Sequence, residues 1–211
     1  MSGVEVTAEQ LGVDGARGAV FSGLDLRARP DAVVAIAGPG GSGRTSLLLT
    51  LAGRMKPHHG RATVGRHRLP EQAAAVRRLV TVARATGAVE LQDRWKVQEA
   101  IGLQEVLRGR RIDAREAAAA LDACGVTARG EDPVESLLPS QRTRLAVALA
   151  WLERPPAVVL DDLDRGADGP AQRELWQLLR ALAERGTTVL ATTTDPAPAT
   201  GIADAVVTVG A

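Results

Sequence analysis

Residues 38–45 read GPGGSGRT, so Gly38 and Gly43 are separated by four residues and Arg44 and Thr45 follow at once. An apolar run typical of a buried strand precedes this segment, and a helical pattern starts at Arg44. Glycines let consecutive backbone N–H groups curve around phosphate oxygens, a helix start adds positive potential, and a threonine hydroxyl can coordinate Mg2+. The spacing predicts a phosphate-binding loop, although a glycine-rich turn between strand and helix can also be purely structural.

Arg44 stands where a loop of this kind usually has lysine. Arginine keeps the positive charge, but it is a planar fork rather than a compact ammonium, so its fit to a terminal phosphate differs. Gly38, Gly40 and Gly43 also have the spacing of a dinucleotide-binding turn, which expects an acidic residue about 20 residues later. No Asp or Glu occurs in residues 32–70. NAD is therefore disfavoured, and NADP held by an arginine is left as an alternative.

A second apolar run, 157–160, ends in two adjacent carboxylates, Asp161 and Asp162. After a phosphate-binding loop, the first carboxylate is the expected partner of Mg2+, usually through water, and the second is the candidate for polarising an attacking water. The structural alternative for residues 162–164 is an acidic loop or a helix cap.

Short strand patterns alternate with helical patterns along the chain, which predicts an α/β protein with a largely parallel sheet. Asp113 and Glu116 are predicted to form a capping box, and Ser140 is predicted to cap a later helix. Residues 95 to about 135 are predicted to be a helical insert. The predicted strands are 20–26, 33–37, 61–64, 79–83, 157–160, 187–193 and 205–209, and the predicted helices are 44–52, 96–107, 113 to about 124, 140–152 and 170–184.

The composition of the 211 residues, 45% hydrophobic and 24% charged, is that of a folded domain and excludes a disordered chain. A lone cysteine, Cys124, excludes an internal disulfide and a cysteine-based zinc site, and it favours a reducing compartment. The longest apolar run, 145–152, is well short of the roughly 20 residues that span a bilayer. We therefore expect a protein that is neither exported nor membrane-spanning.

Positive charge is concentrated in residues 27–85, which hold 11 Lys and Arg against two acidic residues, a local net charge of +9. This excess favours an anionic ligand or partner, although a solvated basic face is the simpler explanation. The chain has only one Phe, three Trp and no Tyr. Nucleic-acid binding by base stacking is therefore disfavoured, and we expect no nucleic-acid partner.

These motifs, in this order, resemble the nucleotide-binding subunit of ATP-binding cassette (ABC) transporters over nearly the whole chain. The matching segments are GPGGSGRT at 38–45, LAGRMKPHHGRATVG at 51–65, QRTRLA at 141–146, AVVLDD at 157–162, GAD at 166–168 and TVLATTTD at 188–195. The resemblance implies a P-loop NTPase of ABC type: a mostly parallel core sheet flanked by helices, an N-terminal antiparallel β part and a helical subdomain. It implies one nucleotide-binding domain, 1–211, with the helical subdomain at about 95–140.

The resemblance also implies the ligands and the residues that bind them. ATP and Mg2+ are the expected cofactors, with Thr45 and Asp161 as the metal residues. Two such cassettes, identical or different, would sandwich two ATP molecules and drive a membrane permease from the cytoplasmic face of the cell membrane. The nucleotide-binding residues implied are Gly38, Gly40, Gly41, Ser42, Gly43, Arg44, Thr45 and Ser46.

The chain departs from the family pattern at the positions specialised for hydrolysis. The signature LSGGQ is replaced by Leu137, Leu138, Pro139, Ser140 and Gln141, which removes a hydroxyl and an N–H donor. The aromatic residue that stacks on adenine, near Val13, is missing. By resemblance, the catalytic glutamate is Asp162, the switch histidine is Thr194 and the magnesium-sensing glutamine is Arg84.

The leading hypothesis is an ABC-type ATP-binding subunit with weak or absent hydrolysis that is coupled to a permease. A non-catalytic module that regulates or scaffolds in response to nucleotide is the alternative.

Overall fold

The computed structural model describes residues 2–152 and 154–210, leaving out the side chain of Arg108. Its strands are β1 (Val6–Gly15), β2 (Gly18–Ala28), β3 (Val33–Ala37), β4 (His59–Val64), β5 (His67–Leu69), β6 (Val80–Arg84), β7 (Ala157–Leu160), β8 (Thr188–Thr193) and β9 (Ala205–Thr208). Its helices are α1 (Arg44–Leu51), α2 (Ala73–Leu79), α3 (Val97–Arg108), α4 (Ala114–Ala123), α5 (Pro139–Trp151) and α6 (Gly169–Ala183). Most predicted elements are confirmed within a few residues, while β1, β5 and α2 were not predicted from periodicity.

The strands form two sheets. A four-stranded antiparallel sheet has the order β2-β1-β4-β5, and a five-stranded sheet has the order β6-β7-β8-β3-β9. Every neighbouring pair in the second sheet is parallel. This arrangement confirms the predicted fold class, an α/β chain with a mostly parallel core sheet and an N-terminal antiparallel part.

The central strand β3 is buried along its whole length, as its continuous apolar sequence predicts. Its side chains alternate between two cores. Val33 and Ala35 pack with residues of α5 and α6 on one face of the sheet. Val34 and Ile36 pack with α1 and the antiparallel sheet on the other face. The parallel sheet is therefore covered on both faces, and only its edges are left for a site.

Helices α3 and α4 lie within the predicted helical insert, and two local predictions there need correction. Asp113 caps α4 by accepting a hydrogen bond from the Glu116 N–H at 2.7 Å. The reciprocal half of the predicted capping box is replaced, because the Glu116 carboxylate bonds to Arg110 instead. Ser140 does not cap α5, since the helix begins earlier, with Leu138 as its cap and Pro139 in its first turn.

Cys124 ends α4 and is fully buried. Burial raises the pKa of its thiol to about 12, so the side chain is a protonated, apolar part of the core.

Within the described ranges 2–152 and 154–210, none of the helices combines the length and apolar composition needed to cross a bilayer.

The cap of α4 generates a first prediction. Replacing Asp113 with Ala should lower the free energy of unfolding by about 1 kcal/mol, because the Glu116 N–H loses its acceptor. Asp122→Ala in the same helix is the matched control, and it should leave the stability unchanged or raise it, since a negative charge near a helix C-terminus is unfavourable. Urea denaturation measures both, and an equal loss in the two variants would contradict the capping role.

Candidate functional site

The site is built where parallel strands end. Because β3, β6, β7 and β8 all run in the same direction, their carboxyl ends meet at one edge of the sheet. The loop 38–43 follows β3, the pair Asp161 and Asp162 follows β7, and Thr194 follows β8. The topology therefore brings together segments that are far apart in the chain.

The glycines of the loop 38–43 differ in how much space surrounds them. A Cβ on Gly38 would lie 2.5 Å from the carbonyl oxygen of Val209, and one on Gly43 would lie 2.7 Å from that of Val20. Gly43 also has a φ of 90°, which glycine adopts without strain. Gly40 and Gly41, by contrast, face open space. The loop is held closely at its ends and is open in its middle.

Asp161 is fully buried at the end of β7, and three donors satisfy its carboxylate. The Thr192 hydroxyl donates to Oδ1 at 2.6 Å. The Thr45 hydroxyl donates to Oδ2 at 2.6 Å, and the Thr86 N–H donates to the same oxygen at 3.1 Å. The two residues predicted to hold the metal, Thr45 and Asp161, are thus in direct contact.

Asp162 is held by its neighbours at both carboxylate oxygens. Oδ1 forms an ion pair with Nη2 of Arg44 at 3.0 Å, and Oδ2 accepts the Thr86 hydroxyl at 2.8 Å. Its backbone is in the left-handed region, with a φ of 46°, a conformation that aspartate tolerates better than most residues. The Asp162 N–H donates to the Thr192 hydroxyl at 2.7 Å, which fixes the turn further.

Arg84 is buried behind this turn rather than exposed at the site. Its Nε donates to the carbonyl oxygen of Asp161 at 3.0 Å, Nη1 donates to the Thr143 hydroxyl at 2.9 Å, and Nη2 donates to the carbonyl oxygen of Asp162. Burial lowers the pKa of Arg84, and the nearby charge of Arg165 acts in the same direction. All three guanidinium nitrogens are bonded within the protein.

Thr194 lies at the site edge but contacts a different carboxylate. Its N–H donates to Oδ2 of Asp164 at 2.8 Å, and its hydroxyl donates to the same oxygen. Burial alone would raise the pKa of Asp164, but these hydrogen bonds outweigh it and hold the pKa below its usual value.

The segment at the signature position forms the start of α5. Leu138 is 70% exposed. A Cβ on Gly166 would lie 3.0 Å from Cβ of Pro139, so the loop that contains Gly166 packs closely on the start of α5. The Gln141 side chain accepts from the Thr127 N–H at 3.0 Å and donates to the carbonyl oxygen of Gly125. It is therefore committed to the loop that follows α4, while Leu137 and Ser140 are half-buried.

Sequence reasoning missed Thr86, Thr192 and Asp164, all of which contact predicted site residues. The available signal was position, because Thr192 lies near the end of a predicted strand, and Thr86 and Asp164 lie within four residues after one, at the edge where the strands meet. Thr86, two residues after Arg84, is the residue of that loop that faces both carboxylates.

The residues present fit a phosphate group and Mg2+. Nη1 of Arg44 and Oγ of Ser42 are buried and have no hydrogen-bond partner among the described residues. Arg44 is only 7% exposed, and an unpaired donor on a buried cation is suited to an anion. Thr45 and Asp161 supply hard oxygen ligands of the kind Mg2+ takes together with phosphates and water.

Comparison with known proteins agrees with this geometry. A family model described as ABC transporter matches residues 21–164, which is more than half of the chain. The chain therefore belongs to the ABC transporter family. ABC cassettes bind ATP with Mg2+.

Two relatives illustrate the range of proteins similar to this ABC-family chain. The cytochrome c biogenesis ATP-binding export protein CcmA of Pseudomonas fluorescens is 33% identical over 176 residues, covering 82% of this chain and 81% of its own length. The daunorubicin resistance ATP-binding protein DrrA3 of Streptomyces coeruleorubidus is 33% identical over 175 residues, covering 82% of this chain. The chain spans 63%, 55% and 62% of the length of three curated relatives that it matches.

Solved structures confirm the cassette fold. A dimeric ATP-binding cassette in a post-hydrolysis state, bound to ADP and phosphate, superposes with a TM-score of 0.80 over 97% of this chain and 94% of its own. Its sequence identity is 20%, so it shows the fold alone.

The close packing at one end of the loop generates a prediction. Gly38→Ala should lower the free energy of unfolding by about 1–3 kcal/mol, because its Cβ meets a backbone oxygen that cannot move aside. Gly40→Ala is the control, since nothing lies within 4 Å of the added atom. Thermal denaturation compares them, and equal stability of the two variants would show that the loop adapts.

Proposed function

We propose that this chain binds MgATP through residues 38–46 and works as the ATP-binding subunit of a transporter. The observation that carries the proposal is the buried Nη1 of Arg44, which no described residue bonds, beside the bonded pair Thr45 and Asp161. The loop amides and Arg44 hold phosphate charge, Thr45 and Asp161 hold Mg2+, and Gly40 and Gly41 leave room for the ligand. When bound, Mg2+ would neutralise part of the phosphate charge.

Hydrolysis is weak or absent in this proposal because the candidate base is engaged. A general base needs an oxygen within hydrogen-bond reach of the water whose proton it takes. One oxygen of Asp162 pairs with Arg44 and the other accepts the Thr86 hydroxyl, so water competes with both donors. Thr194 cannot carry a proton near neutral pH as histidine can.

The partner in this proposal is a membrane permease, and the chain is peripheral to the inner face of the membrane. Relatives named as import, export and drug-resistance ATP-binding proteins support a transport role, with no direction or substrate chosen between them. A cleft of about 730 Å3 beside α5, lined by Trp95, Arg94, Arg142 and Arg165 among others, is the candidate contact for the permease. A second cassette, identical or different, completes the site.

Metal-dependent binding tests the proposal. Thr45→Val should weaken MgATP binding by roughly 10-fold or more, because the hydroxyl beside Asp161 is lost, and should leave binding in EDTA unchanged. Thr50→Val is the matched control, since its hydroxyl donates to the Ser46 carbonyl oxygen in the same helix, at 2.7 Å, and to no other group in the part of the chain that the structure describes. Isothermal titration calorimetry measures both, and no binding by the wild-type chain up to millimolar MgATP would overturn the proposal.

ATP turnover tests the proposal that hydrolysis is weak or absent. The wild-type chain should hydrolyse ATP well below the roughly 10 per second typical of enzymes. Combining Arg44→Lys, Asp162→Glu and Thr194→His should raise turnover fully only when Leu138→Ser and Pro139→Gly are added, because two cassettes share each site. Phosphate release is the assay, and ordinary turnover by the wild-type chain would refute weak hydrolysis.

The alternative is a non-catalytic module that responds to nucleotide, and the engaged carboxylate of Asp162 favours it. Nucleotide binding without coupled transport, even when a permease and a conventional cassette are both present, would select this alternative.

A further inference from the structure

Two opposite charges inside the site, Arg44 and Asp162, form an ion pair with each other. Arg44 is 7% exposed and its Nη2 pairs with Oδ1 of Asp162, while Nη1 has no partner among the described residues. A buried guanidinium is costly unless it is paired, so this contact stabilises the chain when no phosphate is bound. The phosphate loop therefore carries its own counter-ion.

The position of Asp162 is fixed by contacts that do not involve Arg44. Arg84 donates to its carbonyl oxygen, Thr192 accepts its N–H, and the Thr86 hydroxyl holds Oδ2. These bonds keep the left-handed turn in place and aim the carboxylate at Arg44. The pairing is thus built into the turn and does not depend on a freely rotating surface side chain.

We propose that Asp162 sets the nucleotide affinity of this chain by competing with phosphate for Arg44. This inference rests on the proposed function, since it concerns the same phosphate loop. Nucleotide binding replaces the Asp162 carboxylate with a phosphate as the anionic partner of Arg44. Part of the binding free energy from the Arg44–phosphate contact is therefore offset by loss of the Arg44–Asp162 ion pair. The side chain that the family resemblance equates with the catalytic base acts here as an affinity-determining counter-ion.

Asp162→Asn tests the competition directly. If the ion-paired form outnumbers the open form about tenfold, releasing Arg44 raises the affinity for MgADP roughly tenfold. The same variant should melt about 5 °C lower without ligand, because a buried cation loses its partner, and should recover on adding MgADP. ADP and inorganic tripolyphosphate are the probes, since tighter ADP binding cannot come from blocked hydrolysis.

Asp164→Asn is the matched control. It removes the same charge two residues away, but its carboxylate accepts hydrogen bonds from Thr194. Among the described residues, Arg44 forms its ion pair with Asp162 and acts on Asp164 as a nearby charge. Affinity for ADP should change less than about threefold in this variant. An equal gain in both variants would mean that general electrostatics is responsible, and it would overturn the proposal.

A second variant covers the case in which Asp162→Asn does not fold. Thr86→Val removes the hydroxyl that holds Oδ2 of Asp162 but keeps the Asp162 charge. The carboxylate is then less firmly aimed at Arg44, so the ion pair should weaken and ADP affinity should rise by a smaller factor than in Asp162→Asn. Unchanged ADP affinity in Asp162→Asn, or in Thr86→Val where Asp162→Asn does not fold, overturns this inference alone. Failure of the wild-type chain and every variant to bind ADP or tripolyphosphate overturns the proposed function together with it.

Discussion

A carboxylate buried at the end of a strand must be given hydrogen-bond donors, and those of Asp161 come from three different parts of the chain. Thr45 lies in the first turn of α1, Thr86 follows β6 and Thr192 lies in β8. An unsatisfied charge in this position would cost several kcal/mol. This one group therefore ties the phosphate loop to two neighbouring strand ends and determines how closely the segments of the site approach each other.

The charge balance at the site depends on the next residue, Asp162. The left-handed turn at Asp162 directs its carboxylate toward Arg44, and Arg84 holds the turn from behind through backbone oxygens. Arginine suits positions 44 and 84, because a guanidinium can bind several acceptors at once in a fixed plane. Arg84 also reaches Thr143 in α5, so the turn and the helix that starts at the signature position share one buried side chain.

The position of the candidate site was predictable, whereas several side-chain roles within it were not. The loop 38–45 and the carboxylates after 157–160 were identified because glycine spacing and apolar runs are local signals. Arg84 and Thr86 show where such signals end. Arg84 ends β6 and Thr86 lies two residues beyond it, but only contacts with Asp161, Asp162 and Thr143 decide which side chain turns inward.

By itself, the sequence determined the α/β alternation, the phosphate loop and the buried strand that carries Asp161, since each depends on residues within a few positions of one another. Tertiary structure alone decided that Arg44 pairs with Asp162, 118 residues away, and that Asp164 takes the hydrogen bonds of Thr194. The physical reason is that strand order and register set which loop ends face each other, and side-chain hydrogen bonds act only over about 3 Å.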